Sequence, residues 1–270
     1  MKSKRAIVFM AWGDVFIDEV RRCLRESLLP NCDRVLITDA KTCVKEDEFR
    51  VVRADFKRKG LFRKTELIHW LPEGYDSYLF IDSDTRVLAD IDLGFQKAEE
   101  YGIAVAPASH YSLDQFYGFG EVMKTEGVSL QGQLQFNSGV IFFSLRDNVR
   151  QVMHLWSELG SKYDGTPYSD QPFLTLAMER LRFNPYTLSP GYNYRAFGDL
   201  ISGVVRIWHS RFAVPDNINA FQAPWPPRRA VDDTIITPRI DKRFAKLVKK
   251  LRRAHSSVSN VLRFCRLQKR

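Results

Sequence analysis

Short apolar runs alternate with helically spaced ones through the first half of this chain, and that alternation admits few architectures. Ala6-Ile-Val-Phe-Met-Ala11 reads as a strand. Val15 to Leu28 has helical spacing, with Phe16, Val20, Cys23, Leu24 and Leu28 on one face and Asp14 placed to cap it. Arg34 to Thr38 and Phe49 to Val52 are two more strands; Leu61 to Leu71 is helical; Tyr78 to Ile81 is a fourth strand. Asp92 to Tyr101 is a further helix, followed by the strand Ile103 to Ala106. Strands alternating with helices predict an α/β fold with a mostly parallel central sheet. Ligands in such sheets bind beyond the carboxyl ends of the strands. Asp39, Asp82 and Asp84 fall there.

Residues 107–135 are rich in Gly, Ser, Gln and aromatics and read as one long connection, which is uncommon unless functional. A second buried strand lies within Phe136 to Leu145, and helices within Val149 to Leu159 and Phe173 to Arg182. Pro224-Trp-Pro-Pro227 marks the end of the compact part, dividing a domain at 1–225 from a tail at 226–270. The net charge of +9 is carried by that tail: residues 239–270 hold +11, leaving −2 for the rest. A near-neutral body argues against nucleic acid as a partner. Phe244, Leu247, Val248 and Leu251 repeat at helical spacing among the basic residues. Attachment to an anionic membrane surface is one reading, and a helix docked on the body is the other. Cys23, Cys32, Cys43 and Cys265 show no metal or C-x-x-C spacing, and no signal-peptide pattern opens the chain. These features predict reduced thiols and a cytoplasmic, peripherally membrane-bound protein.

The apolar run at Tyr78 to Ile81 ends in Asp82-Ser83-Asp84. Residues i and i+2 of an extended chain share a side, so the two carboxylates can converge. Held together, they call for a cation, and Mg²⁺ or Mn²⁺ with a bound diphosphate meets that demand. Asp-Ser-Asp is also ordinary turn chemistry.

Four later segments accompany it: Phe136-Asn-Ser-Gly-Val140, Ser169-Asp-Gln-Pro-Phe173, Ser189-Pro-Gly-Tyr-Asn193 and Ile207-Trp-His209. In this order and at these separations, across roughly residues 5–215, the chain resembles the family 8 nucleotide-sugar glycosyltransferases. The resemblance implies a GT-A fold, a Rossmann-like α/β domain that binds a nucleotide sugar, usually UDP-linked, through Mn²⁺. It implies Asp82, Asp84 and His209 as metal ligands, with Asp82 also near the ribose. It places Asp39 near the base or ribose, Lys64 or Arg63 at the diphosphate, and Asn137, Ser138, Gly139 and Asn193 around the donor. Asp170 would face the transferred sugar and Gln171 the anomeric carbon. The family's Gly and Lys after the late histidine are replaced by Phe212 and Pro215, with Arg211 the candidate substitute.

Each position also has a purely structural reading. His209 could be a strand-end histidine satisfied by a carbonyl. Asn137 and Gly139 could be a cap and a bulge. Asp170 and Pro172 suit a helix start without any catalysis, and Arg63 a solvated face. The resemblance implies hexose transfer to a glycan or lipid-linked acceptor with retention. An inverting enzyme with Asp114 or Glu121 as base, and a silent nucleotide-sugar binder, are the alternatives.

Overall fold

The computed structural model describes residues 3–44, 48–129, 132–195, 203–216 and 218–219. The boundary expected at 225 and the whole basic tail lie outside the described residues. The elements run β1 (Arg5–Met10), α1 (Asp14–Glu26), β2 (Asp33–Thr38), β3 (Arg50–Arg53), a 3-10 segment (Gly60–Glu66) leading into α2 (Leu67–Trp70), β4 (Ser77–Ile81) and β5 (Thr85–Val87). There follow α3 (Asp92–Tyr101), β6 (Ile103–Ser112), α4 (Gly120–Thr125), β7 (Leu134–Phe143), α5 (Asp147–Lys162), α6 (Gln171–Arg180), β8 (Tyr186–Thr187), a 3-10 turn (Pro190–Asn193), β9 (Tyr194–Arg195) and β10 (Ile207–His209).

The main sheet has the order β3-β2-β1-β4-β7-β6-β8. Every strand in it runs the same way except β7, which is antiparallel to both β4 and β6. The α/β class and the mostly parallel sheet are thus as the alternation predicts. The central strands β1 and β4 are buried on both faces, which is why they read as unbroken apolar runs. Phe80, Val105 and Ile141 join Trp156 of α5 and Phe173 of α6 in one cluster; Ile7, Phe9, Leu79 and Phe142 join Val20 of α1 and Phe95 of α3 in the other. Burying each such side chain contributes about 1.5–3 kcal/mol. A small second sheet, β5-β10-β9, stands at the carboxyl edge.

Because β7 is reversed, it is the beginning of β7 that reaches the carboxyl edge of its neighbours. Ile81, the last residue of β4, pairs with Val140, so Asp82 leaves the sheet beside Gly139 and donates its N–H to the Gly139 carbonyl at 2.9 Å. Against β6 the register jumps from Val105↔Ile141 to Pro107↔Phe136. The surplus residues of β7 form a bulge, a device that re-aims side chains at sites.

Four expectations are corrected. In α1 the inward face is Ile17, Val20 and Cys23, while Phe16 and Leu28 are exposed. Phe16 faces outward, with its ring beside Trp12, 6.4 Å between centroids. Asp14 is not the cap: Gly13 holds that place, its N–H bonded to Thr42 Oγ1, and Asp14 sits in the first turn, where the helix dipole favours a carboxylate. The 61–71 stretch is mostly 3-10 rather than α, tightened where Thr65 Oγ1 donates to the Phe62 carbonyl. Residues 107–135 are not one loop. β6 continues to Ser112 and β7 starts at Leu134, and between them α4 is anchored by buried Phe119, which packs on Phe173.

Candidate active site

The Asp82-Ser83-Asp84 segment is a turn joining β4 to β5. Thr85 donates its N–H and its hydroxyl to the Asp82 carbonyl, and Ser83 Oγ donates to Glu19. The two carboxylates therefore converge across a turn and not along an extended strand. Turn chemistry and ligand chemistry coexist here. β10 pairs antiparallel with β5, setting His209 opposite Thr85, and Ser210 donates its N–H to the Asp84 carbonyl. This brings His209 Nε2 to 3.3 Å from Asp84 Oδ1 and 3.6 Å from Asp82 Oδ2. One ligand atom from each residue falls within 4.8 Å of the others.

His209 Nδ1 lies 2.7 Å from Asn193 Oδ1. An amide oxygen only accepts, so Nδ1 carries a hydrogen, and Nε2 faces the carboxylates, able to donate to Asp84 when the ring is cationic and to offer its lone pair to a metal when it is neutral. This is how a ligating histidine is ordinarily held. Three lone-pair donors aimed at one point, two of them anionic, fit a hard divalent cation of the Mg²⁺ or Mn²⁺ type. Asn193 is thereby a support for His209. Asp84 is driven upward by burial, but the hydrogen bond and charge of His209, and the charge of Arg195, outweigh this and hold it at about 2.

Gly139 makes the convergence possible. A Cβ on it would lie 2.2 Å from His209 Cε1 and 2.7 Å from Asp82 Oδ2. Asn137 Oδ1 accepts the Gly139 N–H at 2.8 Å, so the expected cap reading holds for its oxygen.

Beside the triad lies a buried charge cluster. Lys64 Nζ is 2.8 Å from Asp82 Oδ1 and 3.6 Å from Asp170 Oδ2. Asp170 Oδ2 also accepts from Ser138 Oγ at 2.6 Å. Burial pushes Lys64 down, yet Asp170 and Asp82 overcome it and raise it to about 12. Burial raises Asp170, opposed by Lys64 and Ser138. Asp170 occupies the N-cap position of α6, but its carboxylate makes no capping hydrogen bond. The capping account is corrected: the side chain is drawn away by Lys64 and Ser138, and Pro172 in the first turn has no N–H to offer. Gln171 begins α6 next to it, half-buried.

The loop carrying Lys64 is fixed from behind. The Glu66 carboxylate accepts backbone N–H groups from Lys57 and Arg58, and α5 approaches so closely that a Cβ on Gly160 would meet Thr65 Oγ1 at 2.1 Å.

Asp39 stands apart at the end of β2. Its Oδ1 accepts from Thr42 N–H and Oγ1 and from Lys41 N–H; the Thr42 hydroxyl is the chief cause of its lowered pKa. Arg63 is not a solvated residue. Its guanidinium lies 4.6 Å over Trp12 and 5.3 Å over Phe56, and reaches Asp39 Oδ2 at 4.0 Å. Trp12 belongs to no motif in the sequence, although it follows β1 at the same carboxyl edge. Arg211 is exposed two residues past His209. The candidate bases for inversion are otherwise engaged: Asp114 Oδ1 accepts the Gly132 N–H, and exposed Glu121 pairs with Lys124.

Comparison with solved structures decides the fold. Galactosyltransferase LgtC, in complex with donor and acceptor sugar analogues, superposes with a TM-score of 0.53 at 12% identity, over 76% of this chain and 86% of that one. Mouse xyloside xylosyltransferase 1 gives 0.53 at 13% identity, over 78% of this chain and 100% of that one. The Streptococcus pneumoniae glycosyltransferase GlyE gives 0.50 at 16% identity, over 82% and 57%. The chain has the GT-A fold. No protein-family profile matches it, and no curated protein matches it. Within the GT-A fold the triad and the Lys64 cluster both occupy the carboxyl edge of the sheet, where an α/β sheet presents its ligands.

Proposed function

We propose that this chain is a divalent-metal-dependent glycosyltransferase that moves a hexose from a UDP-sugar to a hydroxyl of a glycan or lipid-linked acceptor, with retention. The convergence of Asp82, Asp84 and His209 on one point supports this reading most directly. Those three residues would hold Mn²⁺ or Mg²⁺, which when bound neutralises charge on a departing diphosphate. Asn193 keeps the His209 lone pair available to it. Asp170, beside the triad and clamped by Ser138 and Lys64, is a fixed negative charge suited to stabilising positive charge at an anomeric carbon. Its clamping favours that role over displacement by Asp170 itself. Gln171 offers a neutral amide at the same place. Asp39, Trp12 and Arg63 provide a carboxylate and an aromatic–guanidinium face for the base and ribose.

UDP released from a panel of UDP-hexoses in Mn²⁺ tests the function. Release from at least one sugar is expected, with the anomeric coupling of the product reporting retention. Gln171→Ala is expected to lower kcat by about 100-fold or more while changing UDP affinity by less than about threefold. Equal losses would remove Gln171 from the chemistry, and no release from any donor would end the proposal.

The same reading extends to location and partners: the cytoplasmic face of a membrane, reached through residues 239–270, and no nucleic acid. The +11 charge and apolar stripe of the tail support it. Full-length protein is expected to sediment with phosphatidylserine vesicles, progressively less as salt rises, and a form ending at Pro238 is not. If the shortened form unfolds, the stripe belongs to the core.

A further inference from the structure

Gln135 is the second residue of β7, fully buried, and neither its amide oxygen nor its amide nitrogen has a hydrogen-bond partner. A buried amide left wholly unpaired is unusual and destabilising, and it calls for an explanation. Its direction follows from the strand. Phe136 packs in the cluster of α5 and α6, and Ser138 bonds Asp170 at the start of α6. Strand alternation places Gln135, Asn137 and Gly139 on the opposite face. That is the face on which a Gly139 side chain would strike His209. One face of β7 therefore bears the metal triad at Gly139 and, four residues earlier in the strand, the two unpaired amide atoms of Gln135.

We infer that Gln135 forms a subsite for adjacent hydroxyls of a sugar ring and sets which sugar is accepted. The inference rests on the proposed function. A single amide that needs both a donor and an acceptor is matched by a vicinal diol, in which each hydroxyl can do either. At about 3.3 Å per residue, less what the bulge takes up, Gln135 stands no more than roughly 13 Å along β7 from Gly139. A sugar joined to a metal-bound diphosphate, or an acceptor sugar stacked beyond it, spans that interval.

The test is Gln135→Met, which keeps the volume and removes both polar atoms. Because the amide has no partner in the free protein, the variant is expected to melt about 2–4 °C higher. It should bind UDP with Mn²⁺ as the unaltered protein does. If the diol belongs to the transferred sugar, kcat/KM for hydrolysis of UDP-glucose or UDP-galactose falls about tenfold or more. If it belongs to the acceptor, hydrolysis is unchanged and transfer to added lactose or maltose falls instead. A lower melting temperature would show that the amide has a structural partner and overturn the inference. So would a higher one with both reactions unchanged. Failure of the unaltered protein to bind any UDP-sugar would instead overturn the proposed function, and this subsite with it.

Discussion

Lys64→Met is expected to destabilise the fold by about 3–5 kcal/mol near pH 8, measured by urea denaturation in chelator. The reason lies in what the substitution leaves behind. Asp170 is 2% exposed, and its two side-chain partners are Ser138 and Lys64. Asp82 loses the same ammonium at 2.8 Å. A buried pair taken whole contributes little net stability, but removing one member strands the other. The pH dependence follows from the direction of the shift. Lys64 is raised from 10.5 to about 12, so its contribution is complete below about 10.5 and lost as pH climbs through about 12. The gap between the variant and the parent should therefore close across that alkaline window. It should also narrow in acid, as the stranded carboxylates take up protons. A loss below about 1 kcal/mol would mean the cluster is open to water and screened.

Gly139→Ala carries the second large effect. The new methyl would lie 2.2 Å from an imidazole carbon and 2.7 Å from a carboxylate oxygen. Both neighbours are constrained, His209 by Asn193 and by pairing with β5, Asp82 by its N–H to Gly139 itself. One of them must leave, and overpacking of this kind costs about 1–3 kcal/mol. Displacing a ligand is the greater consequence: Mn²⁺ affinity by calorimetry is expected to fall at least about 10–100-fold. An affinity within about threefold of the parent would show that the ligands do not depend on this close approach.

Much of the site was legible because its parts are local. The run from Tyr78 to Ile81 is buried on both faces, so it announces a strand, and the carboxylates follow in the next three residues. Asn137 to Gly139 and Asp170 with Gln171 likewise sit in short segments whose residue types are distinctive. What joins them is not local. Lys64 meets Asp170 more than a hundred residues later, and nothing in a 3-10 turn advertises that partner. Capping was therefore a sufficient account of Asp170 until the structure showed where its carboxylate points. The 107–135 stretch misled for a related reason. Its strand ends pair with each other across a bulge, so neither carries the regular alternation that identifies a strand. Arg63 and Phe16 both lie beside Trp12, a neighbour that helical spacing alone does not indicate. Gln135 left no sequence signal: only the absence of a partner, visible in three dimensions, sets it apart.

The central claim is that Asp82, Asp84 and His209 hold a divalent cation on which sugar transfer depends. Its most direct test is UDP release by chelator-treated protein during titration with Mn²⁺, alongside Asp84→Asn. The account predicts no release in chelator, recovery on saturable addition of Mn²⁺ and less with Ca²⁺, and loss of both Mn²⁺ binding and release in the variant. Full release in excess chelator, or an Asp84→Asn protein that binds Mn²⁺ and turns over like its parent, would contradict it.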